Sequence, residues 1–68
     1  MLLKDARMRA GLTQTQLAKI LEVTQAAVSL WESGIAQPRP STRRHIQTIL
    51  GDVEYARPDR NKRNVEEE

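Results

Sequence analysis

The apolar residues in the first half of the chain recur in short runs at helical spacing, and small or capping residues separate these runs. In the first run the spacing is i, i+3, i+7, which is one face of a helix. Its members are Leu3, Ala6 and Ala10. Gly11 follows, and glycine is the residue type that most readily ends a helix. The pattern predicts a first helix that stops at residue 11.

The second run begins after Thr13. A threonine with a glutamine three residues later, here Gln16, is the signature of a capping box, in which each side chain bonds the backbone N–H of the other residue. An apolar stripe follows, made of Leu17, Ala18, Ile20 and Leu21. The sequence therefore predicts a second helix over residues 14–21.

The third run follows an interruption at Glu22 and Val23. Thr24 is a second candidate N-cap, and Gly34 is a helix stop of the same kind as Gly11. The inner, apolar face consists of Ala27, Val28 and Trp31. This pattern predicts a third helix over residues 25–33, separated from the second by a turn of three to four residues.

Prolines at positions 38 and 40 prevent the third helix from continuing, and Pro40 suits the first turn of a fourth helix. The core face of that helix would be Ile46, Ile49 and Leu50, before Gly51. No apolar periodicity follows. The sequence predicts an all-α fold of four short helices, or five if the tail adds one, with a domain over residues 1–51 and a polar tail over residues 52–68.

The composition limits the class of protein. A chain of 68 residues holds one small domain, which buries only about 60% of the surface of its unfolded form. A large enzyme cleft is therefore not expected. The chain has no cysteine, so a disulfide framework and a thiolate metal site are both excluded. We find neither a secretory signal nor an apolar run long enough to span a bilayer, and we expect a cytoplasmic protein without membrane contact.

The charges are distributed unevenly. Residues 1–50 carry seven lysines and arginines against three acidic residues, whereas residues 51–68 carry four against six. A basic domain with a mixed-charge appendage is typical of nucleic-acid-binding modules. On charge alone, a generic solvated surface is an equally good interpretation.

Two short helices joined by a tight turn have the plan of a helix-turn-helix, whose second helix enters the major groove of DNA. The small Ala18 permits close approach where the helices cross, and Val23 provides an inward-pointing residue in the turn. The outer face of the third helix would carry Gln25, Ala26, Ser29 and Leu30. None of these side chains is acidic, as phosphate proximity requires.

The stretch LTQTQLAKILEVTQAAVSLWESG, residues 12–34, resembles the helix-turn-helix of the phage repressor and Cro family, with the pattern LTQ-x-x-LA-x-x-x-GVS-x-x-x-[IV]-S-x-[WIL]-E-x-G. The resemblance extends over residues 3–50. Glu22 departs from the pattern, because the family prefers glycine at this left-handed position, and a non-glycine residue costs roughly 1 kcal/mol there. The tail departs too, since many members add a fifth helix that completes the core or forms a dimer contact. It offers only three apolar residues, Val53, Tyr55 and Val65.

The resemblance implies roles for individual residues. The implied base contacts are Gln25, Ala26, Ser29 and Leu30, with Gln25 suited to adenine. The implied phosphate contacts are Gln14, Thr24, Arg39, Arg43 and Arg44. Arg7 and Glu32 would form a partly buried ion pair that joins the first helix to the end of the third. This pair would orient the third helix and would not contact DNA.

Several single residues have more than one interpretation. Trp31 is expected in the core and not as a stacking platform for bases. His45 has no second histidine or cysteine to join it in a metal site, and Arg43 with Arg44 could equally be a solvated helix face. The pattern of an enzyme is missing, and we expect no metal and no cofactor.

The tail leaves several alternatives open. Disorder is the first interpretation. The basic cluster from Arg60 to Arg63 could reach along DNA as an arm, whereas Val53 and Tyr55 could begin a short dimer-forming strand or helix.

The hypothesis from sequence is a DNA-binding transcriptional repressor that binds double-stranded DNA as a homodimer on a two-fold-related operator. It would block polymerase by occupancy. Two alternatives come from a different class: an antitoxin whose tail over residues 52–68 wraps a toxin, and a protein–protein adaptor that keeps the fold without binding DNA.

Overall fold

The computed structural model describes residues 1–56. It contains four helices: α1 (Leu3–Arg9), α2 (Gln14–Leu21), α3 (Gln25–Ser33) and α4 (Pro40–Leu50). The predicted all-α fold is confirmed, and α2 and α3 have the predicted bounds. The one β-type contact within these 56 residues is an isolated parallel bridge between Leu2 and Glu54.

The helices α2 and α3 each begin with a local side-chain hydrogen bond. Thr13 Oγ1 accepts from the Gln16 N–H at 3.0 Å, and Gln16 Oε1 accepts from the Thr13 N–H at 2.8 Å. The capping box is thus confirmed, and two N–H groups that lack partners inside the helix are bonded. Thr24 Oγ1 accepts from the Ala27 N–H at 3.1 Å and begins α3 in a similar way.

The two helices also end alike, on residues in the left-handed conformation. Glu22 ends α2 with a φ of 62°, and Gly34 ends α3 with a φ of 85°. After each of them the next N–H turns back to a helix carbonyl, from Val23 to Ala18 at 2.9 Å and from Ile35 to Leu30 at 3.1 Å. Glu22 therefore adopts the backbone that the family pattern assigns to glycine.

The core lies where all four helices meet. Its buried residues are Leu3, Leu17, Ala18, Leu21, Val28, Trp31 and Ile46. Trp31 is 7% exposed, which confirms its place in the core. On α4 the prediction was only partly correct, because Ile46 is fully buried whereas Ile49 and Leu50 are half-buried at the edge of the core.

Residues 51–56, which we call the return segment, pack against the helices. Val53 and Tyr55 contact the core from its edge. The Glu54 N–H donates to the Met1 carbonyl at 2.7 Å, and the Leu3 N–H donates to the Glu54 carbonyl at 3.0 Å. The two apolar residues that the sequence left open as dimer anchors therefore pack within their own chain.

Predictions for the rest of the tail, including Val65 and the basic cluster from Arg60 to Arg63, lie outside the described residues. Across residues 1–56, none of the helices combines the length and the apolar character needed to cross a membrane.

Candidate nucleic-acid interface

The outer face of α3 is the centre of the candidate interface. The inner face packs Val28 and Trp31 into the core, so residues at the alternate helical spacing must point away from it. These are the four predicted base contacts: Gln25, Ala26 and Leu30, which are exposed, and Ser29, which is half-buried. All four thus lie on one side of α3.

The one acidic residue of α3, Glu32, is held in a nearly buried ion pair. Arg7 Nε lies 2.6 Å from Glu32 Oε2, and Arg7 Nη2 donates to Glu32 Oε1 at 3.3 Å. The two side chains are only 10% and 6% exposed. Arg7 Nη1 also donates to the Leu12 carbonyl at 2.7 Å, and this carbonyl belongs to the turn between α1 and α2. One guanidinium therefore ties α1 to α3 and to the turn that leads into α2.

Two glutamines extend the ion pair to the surface. Gln14 Nε2 donates to Glu32 Oε1 at 2.9 Å, and Gln14 Oε1 accepts from Gln25 Nε2 at 2.6 Å. We call the four linked residues Arg7, Glu32, Gln14 and Gln25 the polar network. It runs from a buried arginine to the exposed first residue of α3. Among the described residues, no buried side-chain nitrogen or oxygen lacks a hydrogen-bond partner.

The polar network determines what Gln25 can offer to a ligand. A glutamine amide has two N–H donors and one carbonyl acceptor. One N–H of Gln25 is bonded to Gln14, and the other N–H and the carbonyl remain at the surface. A donor beside an acceptor is the pattern that matches the N7 and N6 edge of adenine. Sequence reasoning found both glutamines, but their spacing of eleven residues did not show that they bond each other.

Gln14 and Thr24 have fewer free groups than their sequence roles suggested. Gln14 is half-buried, and both ends of its amide have partners, which leaves it one N–H. Thr24 Oγ1 caps α3, so the hydroxyl proton is the group it can still donate. Each could therefore donate one hydrogen bond to a phosphate at the start of its helix, where the helix dipole also favours an anion.

The three arginines near the start of α4 differ in their surroundings. Arg39 and Arg44 are exposed, with side chains open to solvent. Arg43 is bonded within the protein: its Nε donates to the Pro38 carbonyl at 3.2 Å and its Nη2 to Gln37 Oε1 at 3.0 Å. Sequence reasoning treated the three alike, because nothing in the spacing shows which of them meets the loop before α4.

Arg43 also lies over an aromatic ring. Its Cζ is 5.5 Å from the centroid of the Tyr55 ring, which is within the range of a cation–π contact. Burial raises the pKa of the Tyr55 phenol above its ordinary value, and the positive charge of Arg43 offsets part of that rise. The return segment is thereby fastened to α4.

The outer face of α3 presents the amide of Gln25 and the hydroxyl of Ser29 beside the exposed apolar side chains of Ala26 and Leu30. His45 is exposed on α4. Within residues 1–56, no three histidine, cysteine or acidic side chains lie close enough together to hold a metal ion.

Comparison with known proteins gives a family match. A family model described as helix-turn-helix matches residues 3–43, which is more than half of the chain. The matched region contains α1, α2, α3 and the first residues of α4, and with them the polar network and the outer face of α3. No curated protein and no solved structure matches the chain.

Proposed function

Because this chain belongs to the helix-turn-helix family of the phage repressor and Cro type, a family of DNA-binding regulatory domains, we propose that it is a sequence-specific transcriptional repressor. In this proposal α3 enters the major groove while α2 crosses the backbone. The protein binds as a homodimer to a two-fold-related operator. Its proposed location is the cytoplasm, where that DNA lies.

The observation that carries the proposal is the placement of Glu32. It is the only acid on α3, and Arg7 and Gln14 hold its carboxylate in a site where the side chain is 6% exposed. A free carboxylate on this helix would repel phosphates at close range. The same network also fixes the amide of Gln25 at the end of α3 that leads into the groove.

The residues on the outer face of α3 would recognise bases through few hydrogen bonds. Gln25 would pair with adenine, and Ser29 would accept or donate one bond. Ala26 and Leu30 would contact thymine methyl groups. With so few polar contacts, part of the discrimination would rest on the shape and deformability of the DNA.

Phosphate contacts on either side of α3 would supply most of the affinity. The proposed residues are Gln14, Thr24, Arg39, Arg43 and Arg44. Arg39 and Arg44 are the main cationic contacts in this proposal, since the guanidinium of Arg43 is already bonded to Pro38 and Gln37. Each neutralised phosphate steepens the salt dependence of log Kobs by about 0.9.

Repression would follow from occupancy. A two-fold dimer places its two α3 helices in successive major grooves, with half-sites about 10 base pairs apart. A dimer bound over a promoter blocks access of the polymerase to it.

The test begins with selection of duplexes from a randomised pool, followed by fluorescence anisotropy of the selected duplex and a scrambled one over a series of salt concentrations. We expect the selected duplex to bind at least ~10³-fold more tightly and to contain two half-sites in inverted orientation. Sedimentation of the complex should give two protein chains per duplex. Equal binding of both duplexes would contradict sequence specificity, and no binding at low salt would favour the adaptor alternative.

A substitution then tests the role of α3 directly. Gln25→Ala should weaken binding to the selected duplex by about tenfold or more and relax the preference for adenine at one position. Thr48→Ala is the control, because Thr48 is exposed on α4 and its hydroxyl donates to the Arg44 carbonyl of the same helix. An equal loss in both variants would contradict the proposed docking of α3.

A further inference from the structure

The loop that follows α3 carries the most exposed large apolar side chain of residues 1–56. Ile35 is 72% exposed, compared with 41% for Leu30 in the last turn of α3. Water solvates such a side chain poorly, so a ligand that covers it gains free energy from the burial. The position of Ile35 relative to α3 decides which ligand that is.

Backbone hydrogen bonds fasten Ile35 to the last turn of α3. The Ile35 N–H donates to the Leu30 carbonyl at 3.1 Å, and the Gly34 N–H donates to the Trp31 carbonyl at 3.2 Å. Together with the left-handed Gly34, these two bonds form a Schellman motif. In this motif the residue after the left-handed position comes back beside the residue whose carbonyl it bonds. Ile35 is therefore placed beside Leu30.

The same motif ends α2, but there the apolar residue turns inward. The Val23 N–H donates to the Ala18 carbonyl at 2.9 Å, and the Glu22 N–H donates to the Lys19 carbonyl at 3.2 Å. Val23, the counterpart of Ile35, is half-buried against the core. The motif itself therefore does not require an exposed residue at this position, and the exposure of Ile35 is specific to the end of α3.

The neighbours of Ile35 favour DNA as the ligand over another protein. Along the chain it lies between Leu30, a proposed base contact, and Arg39, an exposed proposed phosphate contact. Ala26 and Leu30 are one helical turn apart on the outer face of α3, and Ile35 continues this apolar series beyond the end of the helix. The apolar group that a base offers in the major groove is the methyl group of thymine.

We propose that Ile35 contacts the methyl group of a thymine in the major groove, beyond the Leu30 contact in the direction away from Gln25. The inference rests on the proposed DNA-binding function and deepens it, because it adds a specificity-determining residue outside α3. Since the contact neutralises no phosphate, it adds preference for a base without steepening the salt dependence of binding.

The test uses deoxyuridine, which lacks only the methyl group of thymidine, in place of each thymidine of the selected duplex in turn. Anisotropy titrations compare the unchanged protein with Ile35→Ala and with the matched control Ile20→Ala. Ile20 is an exposed isoleucine on α2, outside the outer face of α3. Ile35→Ala keeps the backbone N–H that bonds Leu30, and melting temperatures verify that both variants fold.

We expect at least one deoxyuridine position in each half-site to weaken binding of the unchanged protein about fourfold, the effect of one buried methyl group. At that position Ile35→Ala should bind both duplexes equally, whereas Ile20→Ala should keep the fourfold difference. A pattern of losses that Ile35→Ala leaves unchanged would overturn the inference.

Two further outcomes have distinct meanings. If Ile35→Ala reduces the complex from two protein chains per duplex to one in sedimentation, Ile35 contacts the second copy and the inference is overturned. Absence of DNA binding by the unchanged protein would refute the proposed function, and this inference with it.

Discussion

The inner helices α2 and α3 carry a side-chain cap at their starts, whereas the outer helices α1 and α4 do not. Thr13 and Thr24 cap the starts of α2 and α3 with side-chain hydrogen bonds. Each of the two helices ends on a residue in the left-handed conformation. The N-caps of α1 and α4 are Leu2 and Arg39, and neither makes a side-chain cap.

The outer helices have other contacts at their ends. The first N–H of α1, on Leu3, donates to the carbonyl of Glu54 near the other end of the described chain. At the other end of α1, the Leu12 N–H donates to the Arg7 carbonyl while the Arg7 side chain bonds the Leu12 carbonyl. At the start of α4, Pro40 has no N–H to satisfy. The starts of α2 and α3 are therefore defined by local side-chain hydrogen bonds, whereas a tertiary hydrogen bond fixes the start of α1.

The largest effect is expected where the two groups of helices are joined. Arg7→Ala should lower the free energy of unfolding by about 3–5 kcal/mol, because it leaves the carboxylate of Glu32 buried with Gln14 as its remaining side-chain partner. Urea unfolding followed by circular dichroism measures the loss. Arg9→Ala is the control, since Arg9 is exposed on the same helix and its removal should change stability by less than about 0.5 kcal/mol. A similarly small loss for Arg7→Ala would contradict the expected contribution of this ion pair to the stability of the fold.

The same contrast explains what the sequence could predict. The capping box, the bounds of α2 and α3 and the burial of Trp31 follow from residues a few positions apart, and each was correct. On α4, periodicity identified the core-facing side, but it could not show that the core ends beyond Ile46 and leaves Ile49 half-buried.

The return segment was beyond prediction, because backbone hydrogen bonds and single side-chain contacts hold it and neither has a period. Likewise, the sequence identified Gln14 and Gln25 separately as candidate contacts. Only the folded geometry shows that they are linked to each other and, through Glu32, to Arg7.

Removal of a local signal should have a moderate effect. Thr13→Ala deletes the hydroxyl that accepts the Gln16 N–H and should reduce the free energy of unfolding by about 1 kcal/mol, the typical value for an N-cap. Thr15→Ala removes the same atoms from an exposed position inside α2, where alanine is the better helix former. Chemical denaturation of the two variants should separate them. A loss at position 15 as large as that at position 13 would contradict local capping.

Replacement of Glu22 by glycine would give α2 the same left-handed terminal residue that α3 has in Gly34. It holds the left-handed position that Gly34 holds after α3, and a Cβ in that conformation costs roughly 1 kcal/mol. Glu22→Gly should therefore raise stability by up to about 1 kcal/mol, less the entropy that glycine loses on folding. Glu22→Ala keeps the Cβ and should give no such gain. If thermal unfolding shows equal gains for both, removal of the carboxylate and not relief of the backbone would be the cause.

The smallest effect belongs to the outer contacts and depends on pH. Burial raises the pKa of the Tyr55 phenol above its ordinary value of 10.0, with Arg43 opposing the rise. The fold therefore favours the neutral phenol, and this contribution to stability is fully present below about pH 10 and is lost as the pH rises through the folded-state pKa. Tyr55 is the only tyrosine, so the ultraviolet absorbance of phenolate reports its titration alone. The midpoint should lie above 10.0 in the folded protein and fall to that value in urea. Tyr55→Phe keeps a ring beneath Arg43 and removes the ionisation. The stability of this variant should therefore decline less at alkaline pH than that of the unchanged protein. A parallel decline in both proteins would assign the pH dependence to other groups.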